Sequence, residues 1–277
     1  MNPDQFLAAL AGDTMPPNDV LLMGVVNVTP DSFSDGGLFY EVEAAVAHGL
    51  RMVEEGADIV DVGGESTRPG AAPVSVEEEL RRVEPVVSAL RSAGIAVSID
   101  TRHAVVADAA VAAGACVVND VSGLRDPAMR AVAARHGVPA VAMHMPIDDP
   151  TLMMQHTDYV DVVDDVVAFL RDHAALALAE GVPTVILDPG IGFGKTVEQN
   201  VALVRRLDEL VALGHPVLLG ASRKRFIGVL AGVERAEDRV AGSVAVHLAG
   251  IQRGARIIRA HDVAAHHQAM AMWRHVG

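Results

Sequence analysis

Three polar residues, Asp100, Asn119 and Asp188, each follow a short apolar run and so belong at the end of a buried strand. A carboxylate in such a half-solvated place needs a partner, because leaving it bare is costly. A heterocycle carrying a 2-amino group beside a ring N–H offers two parallel donors, which fit a carboxylate as a guanidinium would. Asn119 can donate and accept, which suits the other edge of such a ring. The competing reading of any one acid is a helix cap or an ion pair; three together favour a ligand site. A second set carries positive charge: Ser222-Arg-Lys-Arg225 and Arg259-Ala-His261. Cations at a helix start oppose its dipole, so this set is better explained by a nearby anion. Arg259 and His261 face one way only if strand geometry runs through Ala260.

Two loops complete the candidates. In Gly63-Gly-Glu-Ser-Thr-Arg-Pro-Gly70, the glycines allow a close backbone approach, while Thr67 and Arg68 suit an anionic oxygen. Asn27-Val-Thr-Pro-Asp-Ser-Phe-Ser-Asp-Gly-Gly37 has the length of a lid, and Asn27 could give a neutral oxygen to Mg²⁺. Gly194-Lys195-Thr196 imitates the end of a P-loop, but Pro189 stands where the first glycine is required, so nucleotide hydrolysis is set aside. Its glycines read instead as a flat wall with Phe193 offering a ring face, and Lys195 as a solvated charge at a helix start. His156, His173, His266 and His267 share no ligand spacing with acids and read as structural or solvated.

Eight apolar runs position these groups: Leu21–Val26, Asp58–Val62, Ala96–Ile99, Cys116–Val118, Val138–Met143, Thr184–Leu187, Val217–Leu219 and Ile257–Ile258. Segments of helical length separate them, among them Val42–Glu55, a helix opened by a Ser75/Glu78 capping box, Asp158–Glu180, Thr196–Leu213 and Asp262–Val276. Alternating strands and helices with chemistry at one strand end predict an α/β fold, a (β/α)8 TIM barrel with its site on the C-terminal face. The chain reads as one domain over residues 1–277, with 1–20 a weakly patterned lead-in.

Composition bounds the partners. A formal charge of −14 argues against nucleic acid and anionic membranes, so an anionic substrate needs a local basic cluster. Aromatics make up only 3% of the chain, which predicts an aliphatic core. The single cysteine, Cys116, excludes an internal disulfide and reads as a small buried thiol. The absence of a signal peptide pattern or a membrane-length apolar run makes a cytoplasmic location the expectation.

Taken together, these motifs resemble the dihydropteroate synthase family from about Leu22 to the C-terminus. The matching stretches are the Asn27 loop, Asp61-Val-Gly-Gly-Glu-Ser-Thr-Arg-Pro-Gly70, Ser98-Ile-Asp-Thr101, Asn119-Asp-Val-Ser-Gly123, Met143-His-Met145, Asp188-Pro-Gly-Ile-Gly-Phe-Gly-Lys-Thr196, Ser222-Arg-Lys-Arg-Phe226 and Arg259-Ala-His-Asp-Val263. The resemblance implies condensation of 6-hydroxymethyl-7,8-dihydropterin pyrophosphate with p-aminobenzoate, Mg²⁺ near Asn27, and a homodimer built through C-terminal helices. It implies a pterin site of Asp100, Asn119, Met143, Asp188, Phe193 and Lys224, and a pyrophosphate site of Asn27, Thr67, Arg68, Arg259 and His261. Phe33, Thr67, Pro69, Phe193, Ser222 and Lys224 would shape the pocket for p-aminobenzoate, the substrate that sulfonamide drugs imitate in this family. Asp100, Asp188, Lys224, Arg259 and His261 would carry catalysis, and replacing Arg259 with Ala should impair turnover far more than folding. The chain departs from the family in its fifth loop, where Met145 is followed by Pro146-Ile-Asp-Asp-Pro150. Two alternatives share the barrel: a pterin-dependent methyltransferase domain, which has no need of the anion site, and a catalytically silent paralogue.

Overall fold

The computed structural model describes residues 1–12, 20–28, 37–66, 74–149 and 152–276, with the side chains of 37–40 excepted. In chain order the elements are α1 (Pro3–Ala11), β1 (Leu21–Asn27), α2 (Gly37–Glu54), β2 (Ile59–Gly63), α3 (Val76–Ser92), β3 (Val97–Asp100), α4 (Ala104–Ala112) and β4 (Val117–Asp120). They continue with α5 (Pro127–His136), β5 (Ala140–Met143), α6 (Val162–Ala179), β6 (Val185–Asp188), α7 (Val197–Arg205), α8 (Leu207–Val211), β7 (Leu218–Leu219), α9 (Arg225–Ala231), α10 (Val240–Gln252), β8 (Ile257–Ala260) and α11 (Val263–Val276). Every strand pair is parallel, in the order β6-β5-β4-β3-β2-β1-β8-β7, and a Leu187–Val217 bridge joins β6 to β7 and closes the ring. This is the (β/α)8 barrel that the strand and helix alternation predicts.

Successive strand residues point to opposite faces, so one phase of each strand fills the barrel and the other packs under the helices. The inward phase begins with an apolar layer that includes Leu21, Met23, Ile59, Val117, Val141, Ile186, Leu218 and Ile257. Two residues further along the same phase it turns polar, giving Asp61, Asn119, Asp188 and Arg259. Burial of the aliphatic floor therefore fixes the direction in which the chemical groups above it point.

The lead-in is more ordered than its pattern suggests. Asn2 and Gln5 form a reciprocal capping box, Pro3 opens α1, and Gly12 closes it in the left-handed conformation. Phe6, Ala9 and Leu10 join the inner apolar layer, so α1 seals the floor of the barrel. Met1 strengthens the seal, with its amino group donating to Asp58 O and its carbonyl accepting from Ala96 N–H. The predicted helix Thr196–Leu213 is two helices, α7 and α8, meeting at Arg206. That guanidinium reaches Asp161, Asp164 and Glu209, which ties the break to the start of α6.

Candidate active site

A cavity of about 370 Å³, counting its open mouth, lies at the C-terminal end of the barrel. Its lining is Asp100, Asn119, Val121, Met143, Asp188, Ile191, Phe193, Gly220, Lys224 and Arg259. All six residues expected around the heterocycle are therefore brought together, from five separate β/α units. Asp100, Asn119, Met143 and Asp188 stand at or next to the last residue of β3, β4, β5 and β6, as inward-phase residues must. Phe193 and Lys224 come from the loops after β6 and β7, and the Lys224 ammonium sits 4.2 Å from the centre of the Phe193 ring. A cation over a ring face holds both in place by the ring quadrupole.

Arg259 is the electrostatic centre. Its Nε donates to Asp61 at 2.7 Å and an Nη donates to Asp100 at 2.6 Å. Asp61 also accepts from the Asn119 amide at 2.9 Å, so one fully buried carboxylate orients two cavity residues. Burial pushes Asp100 up to about 7; the Asp61, Glu79 and Asp120 charges add to that and Arg259 opposes it. Burial also raises Asp188, against which the Gly190 N–H, 2.7 Å from its carboxylate, and the charges of Lys224 and Arg259 work. A flat ligand with donors on one edge and a negative tail would meet acids below and cations beside it.

The remaining expected residues divide. β8 runs through Ala260, yet Arg259 and His261 have different partners: His261 takes Ser222, whose Oγ lies 3.1 Å from both its N–H and its Nδ1. Asn27 ends β1, partly exposed at the mouth. Phe33, Thr67, Arg68 and Pro69 lie outside the described residues. Of the three cations after β7, Arg223 is bound to Asp262 at 2.9 Å and adopts a positive φ of 60°, while Arg225 is exposed. Lys224 alone of these lines the cavity, so the run of charge is less an anion cradle than its spacing predicts.

Several readings of single residues change. Lys195 is 3% exposed rather than solvated, and it binds His144 and three backbone carbonyls. Thr196 is the N-cap of α7 in a capping box with Gln199. The close approach that Gly64 permits is to α3, since a Cβ there would meet Val83 and Glu79 side-chain atoms at 2.8 and 2.9 Å. Asp120 folds the turn after β4, accepting from the N–H groups of Ser122 and Leu124. Cys116 is buried, and desolvation pushes its thiol up to about 11. Asp61, Val121, Ile191 and Gly220 are the site residues that sequence reasoning missed. Asp61 was discoverable, because it shares the inward phase of Ile59.

Loops seven and eight are tied by two buried histidines. Ala221 N–H donates to His247 Nε2 at 3.0 Å, so the ring proton is on Nδ1, which faces His266 Nε2 at 2.8 Å. His266 then carries its proton on Nδ1 and donates to Asp262 O at 2.7 Å. Burial lowers both histidines below their usual range, as two neutral rings require. Among the described residues, one cluster has the types of a metal site: Glu65, Glu79 and His103. Glu79 is bonded to His103 at 2.7 Å, and none of the three lines the cavity, so the cluster braces α3 against the start of α4.

The fold and this cavity together define a class: a (β/α)8 barrel enzyme whose acids and cations converge at the C-terminal mouth. Residues 23–261 match the family model for pterin binding enzymes. A dihydropteroate synthase from Mycobacterium leprae is 47% identical, across 93% of this chain and 95% of that one. A probable bifunctional folylpolyglutamate synthase/dihydropteroate synthase from Haloferax volcanii is 48% identical across 91% of this chain, which spans only 30% of that longer protein. A dihydropteroate synthase from Thermus thermophilus, solved in complex with 4-aminobenzoate, superposes with a TM-score of 0.87 at 54% identity, covering 95% of this chain and 96% of the other. The chain belongs to the pterin-binding enzyme family, on its dihydropteroate synthase side.

Proposed function

We propose that this transferase condenses 6-hydroxymethyl-7,8-dihydropterin pyrophosphate with p-aminobenzoate, giving 7,8-dihydropteroate and pyrophosphate. The observation that carries the reading is the shared cavity of Asp100, Asn119, Asp188, Lys224 and Arg259. A pterin edge with its 2-amino group and ring N–H meets a carboxylate, Asn119 serves the opposite edge, and Met143, Ile191 and Phe193 flank the ring plane. The pyrophosphate tail falls to Arg259 and His261, with Asn27, Thr67 and Arg68 expected from the first two loops. p-Aminobenzoate would take the space beside Phe193, Ser222 and Lys224, completed by Phe33, Thr67 and Pro69.

The reaction needs little proton chemistry from the protein. The bond from the pterin methylene to the pyrophosphate oxygen breaks with its electron pair on oxygen, and Arg259 and His261 stabilise the negative charge that grows there. The carboxylates of Asp100 and Asp188 favour positive charge on the pterin. The arylamine nitrogen then bonds to the methylene carbon and loses one proton to solvent. Positioning and electrostatics do most of the catalysis.

Arg259 must exchange part of its hold on Asp61 and Asp100 for the incoming anion, which links substrate arrival to release of an acid for the pterin. Asn27 suits Mg²⁺: it offers a neutral oxygen at the open mouth, and Mg²⁺ characteristically fills its other positions with water and phosphate. When bound, that ion would add positive charge beside the leaving group. A homodimer through the C-terminal helices and a cytoplasmic location belong to the same proposal. Among the described residues no helix is long and apolar enough to cross a membrane.

The test is pyrophosphate release from the pterin substrate with Mg²⁺, with and without p-aminobenzoate. Release that depends on the arylamine and yields dihydropteroate supports the proposal. Tight pterin binding with no turnover would point instead to a silent paralogue.

A further inference from the structure

The least expected group near the cavity is a lysine that never enters it. Lys195 Nζ lies 3.0 Å from Gly190 O, 3.0 Å from Phe193 O, 3.3 Å from His144 O and 3.0 Å from His144 Nδ1. Among the described residues no carboxylate lies within salt-bridge distance of it; burial lowers the amine to about 7 and the more distant Asp188 charge opposes that, so its close contacts are to backbone carbonyls and a ring nitrogen. Burying an amine is unfavourable unless hydrogen bonds replace its water. A core that needed only volume there would be better served by an apolar side chain.

The geometry explains what the amine secures. Residues 188–195 run from the end of β6 over the cavity and into α7. Their carbonyls at 190 and 193 turn inward to Lys195, while the side chains of Ile191 and Phe193 line the cavity. The same turn aims the Gly190 N–H at the Asp188 carboxylate, and the Gly192 N–H is held at 2.6 Å by Asn200. On the other side, His144 O and Nδ1 connect this turn to the residue that follows Met143 on β5. His144 is kept neutral, lowered to about 2 chiefly by burial and the Lys195 and Arg125 charges, and since an ammonium can only donate, the Nδ1 that faces protonated Lys195 is an acceptor. One nitrogen thus fastens two adjacent loops that supply Met143, Asp188, Ile191 and Phe193.

We propose that Lys195 is a positioning residue for the heterocyclic substrate: by fastening loops five and six it sets the orientation of the Asp188 carboxylate and the Ile191/Phe193 wall without touching the ligand. This rests on the proposed function, because the ligand is taken to be the dihydropterin pyrophosphate. Its signature is selective. Affinity for the pterin should fall, while affinity for inorganic pyrophosphate, held by Arg259 and His261, should not.

The experiment compares Lys195→Met, which removes all donors, with Lys195→Gln, which keeps two N–H groups. Each folded variant is titrated calorimetrically, at a temperature well below its own melting point, with dihydropterin pyrophosphate and separately with inorganic pyrophosphate. Lys195→Met should weaken the pterin substrate about tenfold or more, as expected for a misplaced contact, with Lys195→Gln intermediate. Pyrophosphate affinity should stay within about threefold in both. In steady state, KM for the pterin should rise more than KM for p-aminobenzoate. His144→Phe removes a single acceptor and leaves the lysine, so it should show a smaller shift of the same kind and serves if the lysine variants do not fold.

A lower melting temperature with unchanged pterin affinity would overturn the inference and leave Lys195 a stability residue. Equal weakening of both ligands would overturn it as well. If the unaltered protein does not bind the pterin, the proposed function fails instead, and the two failures are distinct.

Discussion

Replacing Arg259 with Ala tests the electrostatics of the barrel mouth most directly. On the sequence alone that change should damage turnover far more than folding, because Arg259 reads as a substrate ligand. The structure revises this expectation. Arg259 is also the counterion of Asp61, which is fully buried, and of Asp100, whose side chain is 17% exposed. The other oxygen of Asp61, Oδ1, has no hydrogen-bond partner, so the loss of Arg259 leaves that carboxylate only the Asn119 amide. Breaking a buried pair from one side costs about 3–5 kcal/mol, and partial exposure of Arg259 and Asp100 favours about 3. For a chain of this size that is a fall of about 5 °C in melting temperature.

The loss has a pH dependence with a definite sign. Burial already raises Asp100 to about 7, and removing the Arg259 charge that opposes the rise takes it higher. A raised carboxyl contributes stability that is complete below its unfolded value near 4 and is lost as pH climbs through the folded value. The gap between variant and parent should therefore be widest at pH 8.5 and shrink toward pH 5.5, where Asp100 is protonated. Adding Asp61→Asn to the variant removes one stranded charge and should recover about 1–2 kcal/mol at pH 8.5 without restoring turnover. Thermal unfolding followed by circular dichroism at the two pH values, alongside steady-state turnover, measures all of this. An Arg259→Ala protein that melts with its parent at pH 8.5, or whose deficit ignores pH, would refute the reasoning.

Three further outcomes follow from the geometry. Phe6→Ala opens a cavity under the barrel floor and should cost about 3–5 kcal/mol in chemical denaturation, with pterin affinity unchanged because the floor is the opposite end from the mouth. Gly190→Ala drives a Cβ into His144 O at a φ of +68°, so the turn must move; calorimetry should show weaker pterin binding, with about 1–3 kcal/mol of strain in unfolding experiments. Cys116, buried and with its thiol raised to about 11, should react with a thiol reagent at pH 8 only after denaturant is added, and rapid stoichiometric labelling of the native protein would contradict its placement.

The barrel was legible in the sequence because its information is local. Each strand is a short apolar run with a polar or chemically useful residue at or just past its end, and several of the helices between carry their own start or stop signals, such as Ser75 before α3 and Gly137 after α5. The cavity was legible for the same reason: Asp100, Asn119, Met143 and Asp188 stand at strand ends, the places a reader inspects. What stayed hidden depends on pairings between distant residues. Asp61 sits inside a strand, and its importance comes from Arg259, nearly two hundred positions away. Lys195 begins a helix, where a lysine is normally solvated, and only the fold of two loops reveals that it is enclosed. Arg223 reads as part of a basic run until Asp262 neutralises it. The closure of the floor by α1 was missed because a helix of nine residues makes only about two and a half turns, too few for a clear periodic signal.

The paired histidines between loops seven and eight have a thermodynamic consequence for binding. His247 and His266 each give one hydrogen bond and take one in a fixed direction from Ala221 to Asp262, so neither ring can turn over without breaking a link. Ser222 and His261, bonded to each other, are carried on the two loops that this chain ties together. Preorganised in this way, that side of the mouth has little conformational freedom left to lose when a ligand arrives. On the proposed function, pyrophosphate binding there should therefore carry only a small ordering entropy. Much of the conformational entropy given up for recognition was already given up when the chain folded.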